Sequence, residues 1–304
     1  METEIQAAFK SVQDRVNKLT NGVDIQQSTF EQYYLPLIRK YVEDKSNKDG
    51  PYTIGFQGCQ GIGKTVLTTL IECILVEMNF QVVRCSIDDY YCSYEERLVM
   101  SGRYIGNPFY QISRGMPGTH RYEELINMLQ RAKRGESLKI PGFDKSLHGG
   151  NGDILEEGRN IDGRQDFIIL EGWCVNIPSC NNEQFVQSVR RNDHVNEVFK
   201  GLDPEQEYFP IVLGYLNEYQ KIWQLMDNKT LMLGEDIQWI AEWRIEQEER
   251  MKAVKGVGMS VAQIEEFIKP YIPFTWLYYD LELGAAADCV LSIGRNHLPT
   301  ALKI

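Results

Sequence analysis

No run of apolar residues in this chain is long enough to cross a bilayer, which takes about 20 in a helix, and no membrane partner is expected. The opening Met1-Glu2-Thr3-Glu4 is acidic where a secretory or transit leader would be apolar or arginine-rich, so the expected location is the cytoplasm. Positive charge is also in short supply: 32 lysines and arginines against 43 aspartates and glutamates give a net charge of -11, and the pI is near 5.0. A general grip on nucleic acid needs a basic surface that displaces counterions, and this composition excludes it. Any anionic ligand must instead be met by a local basic site. The seven cysteines, at 59, 73, 85, 92, 174, 180 and 289, are an odd set without zinc-type pairing, and several lie in apolar runs, as reduced thiols do. The guanine-reading NKxD pattern is missing, which argues against a GTP-dependent switch.

Against these absences stands one strong positive signal. Residues Gly58-Cys59-Gln60-Gly61-Ile62-Gly63-Lys64-Thr65 fit GxxxxGK[ST], follow the apolar run Tyr52–Phe56, and lead through Val66 into a helix-period segment reaching Leu75. Strand before and helix after are the context this pattern requires. Its glycines let backbone N–H groups curl around a polyphosphate, Lys64 can reach the outer phosphates, and the Thr65 hydroxyl can ligate Mg2+. A nucleoside triphosphate and Mg2+ are therefore the expected ligands. Cys59 sits inside this loop, where N–H groups and Lys64 favour a reactive thiolate; the alternative is an inert small residue filling a turn.

With 43% hydrophobic and 25% charged residues, 304 residues suffice for a full α/β core and an added helical part. Residues 4 to 46 read as helices, with Phe9, Val12, Val16 and Leu19 on one face. From 51 the chain alternates: strand 53–57, helix 64–78, strand 81–87, helices 94–101 and 121–134, strand 166–171 and a last strand 288–293. That rhythm predicts an α/β fold of the P-loop NTPase type, a mostly parallel sheet flanked by helices. The organisation expected is a helical segment at 1–50 packed on a domain at 51–304, whose stretch from about 183 to 282 forms a helical insertion and lid.

The second strand ends in Asp88-Asp89-Tyr90-Tyr91, at the carboxyl edge where open α/β sheets hold ligands. An acid there can take a proton from a substrate hydroxyl, and Asp88 is the better candidate; the bland alternative is that both acids cap the next helix. Strand Phe167–Leu170 runs into Glu171, the position of a carboxylate for a nucleotide-bound Mg2+. The helix from Trp239 carries Arg244 and ends near Gly256-Val257-Gly258, so that it can close as a lid with Arg244, and more weakly Lys255, over the γ-phosphate. The aromatic stretch Tyr271–Tyr279 reads as core packing.

These residues add up to a resemblance. Segments Ser86-Ile87-Asp88-Asp89-Tyr90-Tyr91, Arg114-Gly115-Met116-Pro117-Gly118-Thr119-His120, Pro141-Gly142-Phe143-Asp144-Lys145-Ser146, Ile169-Leu170-Glu171-Gly172-Trp173 and Trp243-Arg244-Ile245-Glu246-Gln247-Glu248 follow one another as in the D-glycerate 3-kinase-like proteins. Those belong to the P-loop kinase group of phosphoribulokinase, uridine kinase and pantothenate kinase. The resemblance covers roughly 50 to 297. It implies an ATP- and Mg2+-dependent kinase of D-glycerate or a similar hydroxy acid, monomeric or homodimeric, with Asp88 as base and Glu171 on the metal. Arg114 and Lys145 have the charge to hold a small carboxylate, while Tyr90 and His120 have groups that bond hydroxyls. Arg295-Asn296-His297 would line the adenine pocket. Arg121 stands where relatives carry an acid, either as a helix-start residue or as a change in the hydroxyl contacts. The alternatives are a kinase of a nucleoside or a pantothenate-like alcohol, and an ATP-binding regulatory protein with weak turnover.

Overall fold

The computed structural model describes residues 1–111, 114–255, 258–280, 283 and 287–304, with backbone alone at 251, 254 and 255. Six strands form the main sheet: β1 Tyr52–Gln57, β2 Val82–Ser86, β5 Phe167–Gly172, β6 Asn228–Gly234, β7 Cys289–Ile293 and β8 Pro299–Lys303. Their order is β2-β5-β1-β6-β7-β8, parallel throughout except for β8, which runs antiparallel to β7. The inner strands β1 and β5 are buried at every position, as their unbroken apolar sequences require once helices cover both faces. A separate antiparallel hairpin joins β3 Leu138–Asp144 to β4 Asp153–Ile161.

Ten helices of eight residues or more are described: α1 Glu2–Leu19, α2 Leu35–Ser46, α3 Lys64–Glu77, α4 Tyr94–Arg103, α5 Tyr122–Lys133, α6 Asn182–Arg190, α7 Asp193–Leu202, α8 Phe209–Trp223, α9 Trp239–Lys255 and α10 Val261–Ile268. Capping boxes set several of their starts. Ser93 with Glu96, Asn181 with Gln184 and Ser260 with Gln263 satisfy otherwise orphaned N–H groups, each such cap contributing about 1 kcal/mol. The N-terminal helices share the main core. Phe9 of α1 stacks on Phe30 at 3.8 Å, Ser11 bonds Glu77 of α3 at 2.8 Å, and the Tyr41 hydroxyl of α2 meets Thr230 of β6 at 2.6 Å. Leu19 departs from the expected apolar face, for it lies past the last core contact and is 58% exposed.

Two features differ from the sequence reading. A strand, β6, runs through the stretch read as mostly helical and pairs with β1 at the centre of the sheet. Its sequence Asn228-Lys229-Thr230-Leu231-Met232-Leu233-Gly234 has neither clean alternation nor a long apolar run, and its burial comes from neighbours far away in the chain. The β3–β4 hairpin also lacked a sequence signal, since β4 is polar and largely exposed. Of the expected loop at Gly256-Val257-Gly258 and the expected lid end at 282, positions 256, 257 and 282 lie outside the described residues.

Candidate active site

The loop after β1 wraps onto the N-terminus of α3, which begins at Lys64 behind Gly63 in a left-handed conformation (φ 104°). At Gly61 (φ 79°) a Cβ would stand 2.7 Å from the backbone of Trp243, so only glycine lets α9 close this tightly over the loop. The Lys64 ammonium donates to the Cys59 carbonyl at 2.8 Å, and its partial burial lowers its pKa. The Thr65 hydroxyl stands 3.0 and 3.1 Å from the two carboxylate oxygens of Glu171. Strand register explains this meeting: Glu171 ends β5 beside Phe56 of β1 and Ser86 of β2. Burial raises the pKa of Glu171, and Lys64, the Arg84 guanidinium (Nη1 at 3.6 Å) and Thr65 oppose that rise. An alcohol and a carboxylate form the hard oxygen pair that suits Mg2+, which takes its remaining ligands from water and phosphate. Among the described residues no group of three or more acids, histidines or cysteines stands ready to hold a metal alone.

Beyond β2 the two aspartates separate by task. Asp89 accepts the Ser86 backbone N–H at 2.9 Å in a capping box and is a structural cap. Asp88 turns into the cleft and pairs with Lys145 at 2.6 Å, a residue delivered by the turn of the β3–β4 hairpin. Burial favours the neutral acid, but the charge and the hydrogen bond of Lys145 win and hold its pKa at about 2. Tyr91 stacks on the His120 ring at 4.5 Å and lies 5.0 Å from Phe143 of the hairpin. His120 ends the tight loop 114–120. Burial depresses its pKa to about 4, so the imidazole is neutral near pH 7.

That loop is fixed by aromatic side chains from distant segments. Gly115 (φ 114°) lies so close to Tyr271 that an added Cβ would stand 2.0 Å from the phenol oxygen, and Trp173 donates to the Gly115 carbonyl at 2.8 Å. Tyr271 in turn donates to the Arg114 carbonyl at 3.0 Å. The Arg114 side chain bonds the Gly150 carbonyl, while buried Arg97 holds Cys92, Asn151 and Gly152 carbonyls and faces the rings of Tyr94 and Phe143. Two guanidinium groups thus anchor the hairpin turn that carries Lys145. On α9, Arg244 pairs with Glu248 at 2.6 Å, and among the described residues its buried Nη1 has no hydrogen-bond partner.

Not every expected residue joins this cleft. Tyr90 is fully buried among Cys85, Asp89, Glu124 and Arg121, and its neighbour Tyr91 takes the place beside Asp88. The Cys59 thiol takes the inert option: it faces the core near Tyr278 and Tyr279, and burial pushes its pKa up to about 12 despite Lys64. Its side chain is fully buried, so the thiol stays protonated. Arg121 takes the helix-start option, at the N-cap of α5, bonding Glu124 and the Tyr91 carbonyl. Arg295 and His297 are engaged by Glu242 and Glu246 of α9, at 2.8 and 2.9 Å, tying the β7–β8 turn to that helix. Lys255 has no described side chain. Tyr91, Arg97, Tyr219 and Tyr271 were missed; only the doubled tyrosine at 90–91 carried any hint, and it did not say which ring faces the cleft.

No family model matches the chain. The solved D-glycerate 3-kinase of Cryptococcus neoformans var. grubii shares its fold, with a TM-score of 0.80 at 21% identity over 92% of this chain and 99% of that one. Fold and phosphate loop together define a P-loop kinase, a phosphotransferase with an alcohol as acceptor. Over 245 residues the chain is 30% identical to the uncharacterized kinase mug58 of Schizosaccharomyces pombe, covering 78% of this chain and 84% of that protein. Over 289 residues it is 25% identical to the chloroplastic D-glycerate 3-kinase of Arabidopsis thaliana, covering 88% of this chain and 59% of that one. The chain belongs to the D-glycerate 3-kinase-like family of P-loop kinases.

Proposed function

We propose that this protein transfers the γ-phosphoryl group of ATP to a hydroxyl of D-glycerate or a closely similar short hydroxy acid. The observation that carries the reading is the Asp88–Lys145 pair at the carboxyl edge of the sheet, with neutral His120 and the Arg114 loop beside it. A lone acid would serve any alcohol. An acid already neutralised by a lysine, with an arginine near as a second cation, suits an alcohol that brings its own negative charge. The D-glycerate 3-kinase named among the relatives supports the same choice.

In this reading residues 58–66 cradle the phosphates with backbone N–H groups, and Lys64 neutralises the outer ones. Thr65 and Glu171 would hold Mg2+, which when bound neutralises charge on the phosphates. Arg114 and Lys145 bind the acceptor carboxylate. As Lys145 shifts toward that carboxylate, Asp88 loses the charge that holds its pKa at about 2 and becomes a better base. The acceptor O–H then breaks, its proton passes to Asp88, the oxygen bonds the γ-phosphorus, and ADP leaves. Arg244, whose Nη1 has no hydrogen-bond partner among the described residues, faces the charge that spreads over the transferring group.

The test is a phosphorylation screen with Mg-ATP over D-glycerate, other short hydroxy acids, glycerol, pantothenate and nucleosides, with Asp88→Asn as the blank. D-glycerate or a near analogue should show the highest kcat/KM, and glycerol should be poor. Equal rates for glycerol and D-glycerate, or a nucleoside as best substrate, would overturn the carboxylate pocket.

A further inference from the structure

The His120 imidazole is 2% exposed, yet only one of its nitrogens is engaged. Nδ1 lies 2.8 Å from the Tyr219 hydroxyl, and among the described residues Nε2 has no hydrogen-bond partner. Tyr219 arrives on α8, is itself fully buried, and accepts the Gly118 backbone N–H at 2.8 Å. These contacts allow two proton arrangements. In the first, the Tyr219 hydroxyl donates to Nδ1, the ring carries its hydrogen on Nε2, and that single donor is left unpaired. In the second, an Nδ1–H donates to the hydroxyl, whose own proton then has no acceptor, while Nε2 becomes an unpaired acceptor. The second leaves two buried polar groups unsatisfied where the first leaves one, so the first prevails.

We propose that Tyr219 is a positioning residue that fixes His120 as the Nε2–H tautomer, so that the ring offers a hydrogen-bond donor, and never an acceptor, to an oxygen of the acceptor substrate. The ring is in the right place for this. It stacks on Tyr91, which lies beside Asp88, and the Asp88 carboxylate is the chief favourable charge near it. With Arg114 and Lys145, three donor side chains then stand around Asp88. Substrate oxygens that accept, a carboxylate or an unreacting hydroxyl, are welcomed, and a group that only donates is left facing another donor. The inference rests on the proposed function for the identity of that oxygen, while the tautomer itself is a property of the protein without substrate.

The first experiment therefore uses the uniformly 15N-labelled protein alone at pH 7. A long-range 1H–15N correlation of its four histidines, with His120 assigned by its loss in His120→Gln, should show the Nε2–H pattern for that ring. An Nδ1–H or charged pattern overturns the proposal, whatever the substrate proves to be. In Tyr219→Phe the pattern should change toward mixed tautomers, and an unchanged pattern removes Tyr219 from the role. Kinetics supply the second readout. Glutamine places an amide N–H near the position of Nε2, asparagine near that of Nδ1, so His120→Gln should hold KM for the best acceptor within about threefold, while His120→Asn raises it roughly tenfold with KM for ATP unchanged. The reverse order would sink the donor assignment. If D-glycerate is not a substrate but the Nε2–H pattern is found, the substrate reading falls and the tautomer stands.

Discussion

Replacing His120 by glutamine removes a base that the fold holds neutral, and it should make the protein less sensitive to mild acid. The pKa of His120 is lowered from 6.5 to about 4 by burial first, with Lys145 and Arg97 adding to the effect and Asp88 opposing it. An unfolded chain takes up this proton as the pH drops through 6.5, whereas the native state declines it until about 4. The native state therefore holds its full advantage above pH 6.5 and loses it as the pH falls toward 4. At about 1.36 kcal/mol per pH unit the whole loss is on the order of 3 kcal/mol, of which about 2.5 falls between pH 7 and pH 4.5.

Urea unfolding followed by tryptophan fluorescence measures this directly. With a slope of about 3 kcal/mol/M, lowering the pH from 7 to 4.5 should move the wild-type midpoint down by about 0.8 M more than that of His120→Gln. Groups common to both proteins drop out of the difference, and Asp88, held at about 2, stays ionised throughout the window. Equal midpoint shifts in the two proteins would refute the buried neutral imidazole, and with it the account of the cleft as a site lined by an uncharged donor.

Four further outcomes are expected. Lys64→Ala should abolish tight ATP binding in calorimetry, since it removes the cation over the outer phosphates; unchanged affinity would contradict the phosphate-loop reading. Asp88→Asn should still bind ATP while kcat falls by about 10²–10⁴-fold, and a wild-type rate would reduce Asp88 to a cap like Asp89. Neutralising Arg114 or Lys145 should raise KM for D-glycerate about ten- to a hundredfold, the loss of one charge-assisted hydrogen bond of about 1.5–3 kcal/mol, with KM for ATP nearly unchanged. Cys59, buried with its pKa pushed up to about 12, should resist peroxide and alkylation in the native protein by mass spectrometry; rapid modification there would show that the loop does favour a thiolate.

The strand, loop and helix from Tyr52 to Glu77 were legible because their signals are local. Glycines that bend the chain, a lysine and hydroxyl at fixed spacing, and apolar periods on both sides all sit within thirty residues. The acids that end β2 and β5 were legible for a related reason: a run of apolar residues stopping at a carboxylate marks the carboxyl edge of a parallel sheet, and Glu171 does meet Thr65 there. What sequence could not supply was side-chain direction in short turns. Asp88 and Asp89 differ in role, as do Tyr90 and Tyr91, because one turn of 3-10 helix aims each of the four differently. Cys59 makes the same point, for the loop's polar character belongs to its backbone and the thiol faces the core.

The acceptor side of the cleft is less legible still, because its order comes from long-range contacts. Lys145 reaches Asp88 only because β3 and β4 fold into a polar hairpin that Arg97 and Arg114 pin by its turn carbonyls, and no hydrophobic period announces that hairpin. His120 owes its direction to Tyr219, ninety-nine residues further on. Yet the overall charge of -11 had already set a condition that these contacts satisfy. A protein this acidic repels anions over most of its surface, so an anionic acceptor must find its cations gathered in one place. Lys64, Arg97, Arg114, Lys145 and Arg244 come from five separate segments, and their charges meet around the Asp88 side of the phosphate loop. The same gathering explains why Asp88 rests in an ion pair: without an anion in the cleft, the acid that serves as base is also the counter-charge for the cation that would bind the substrate.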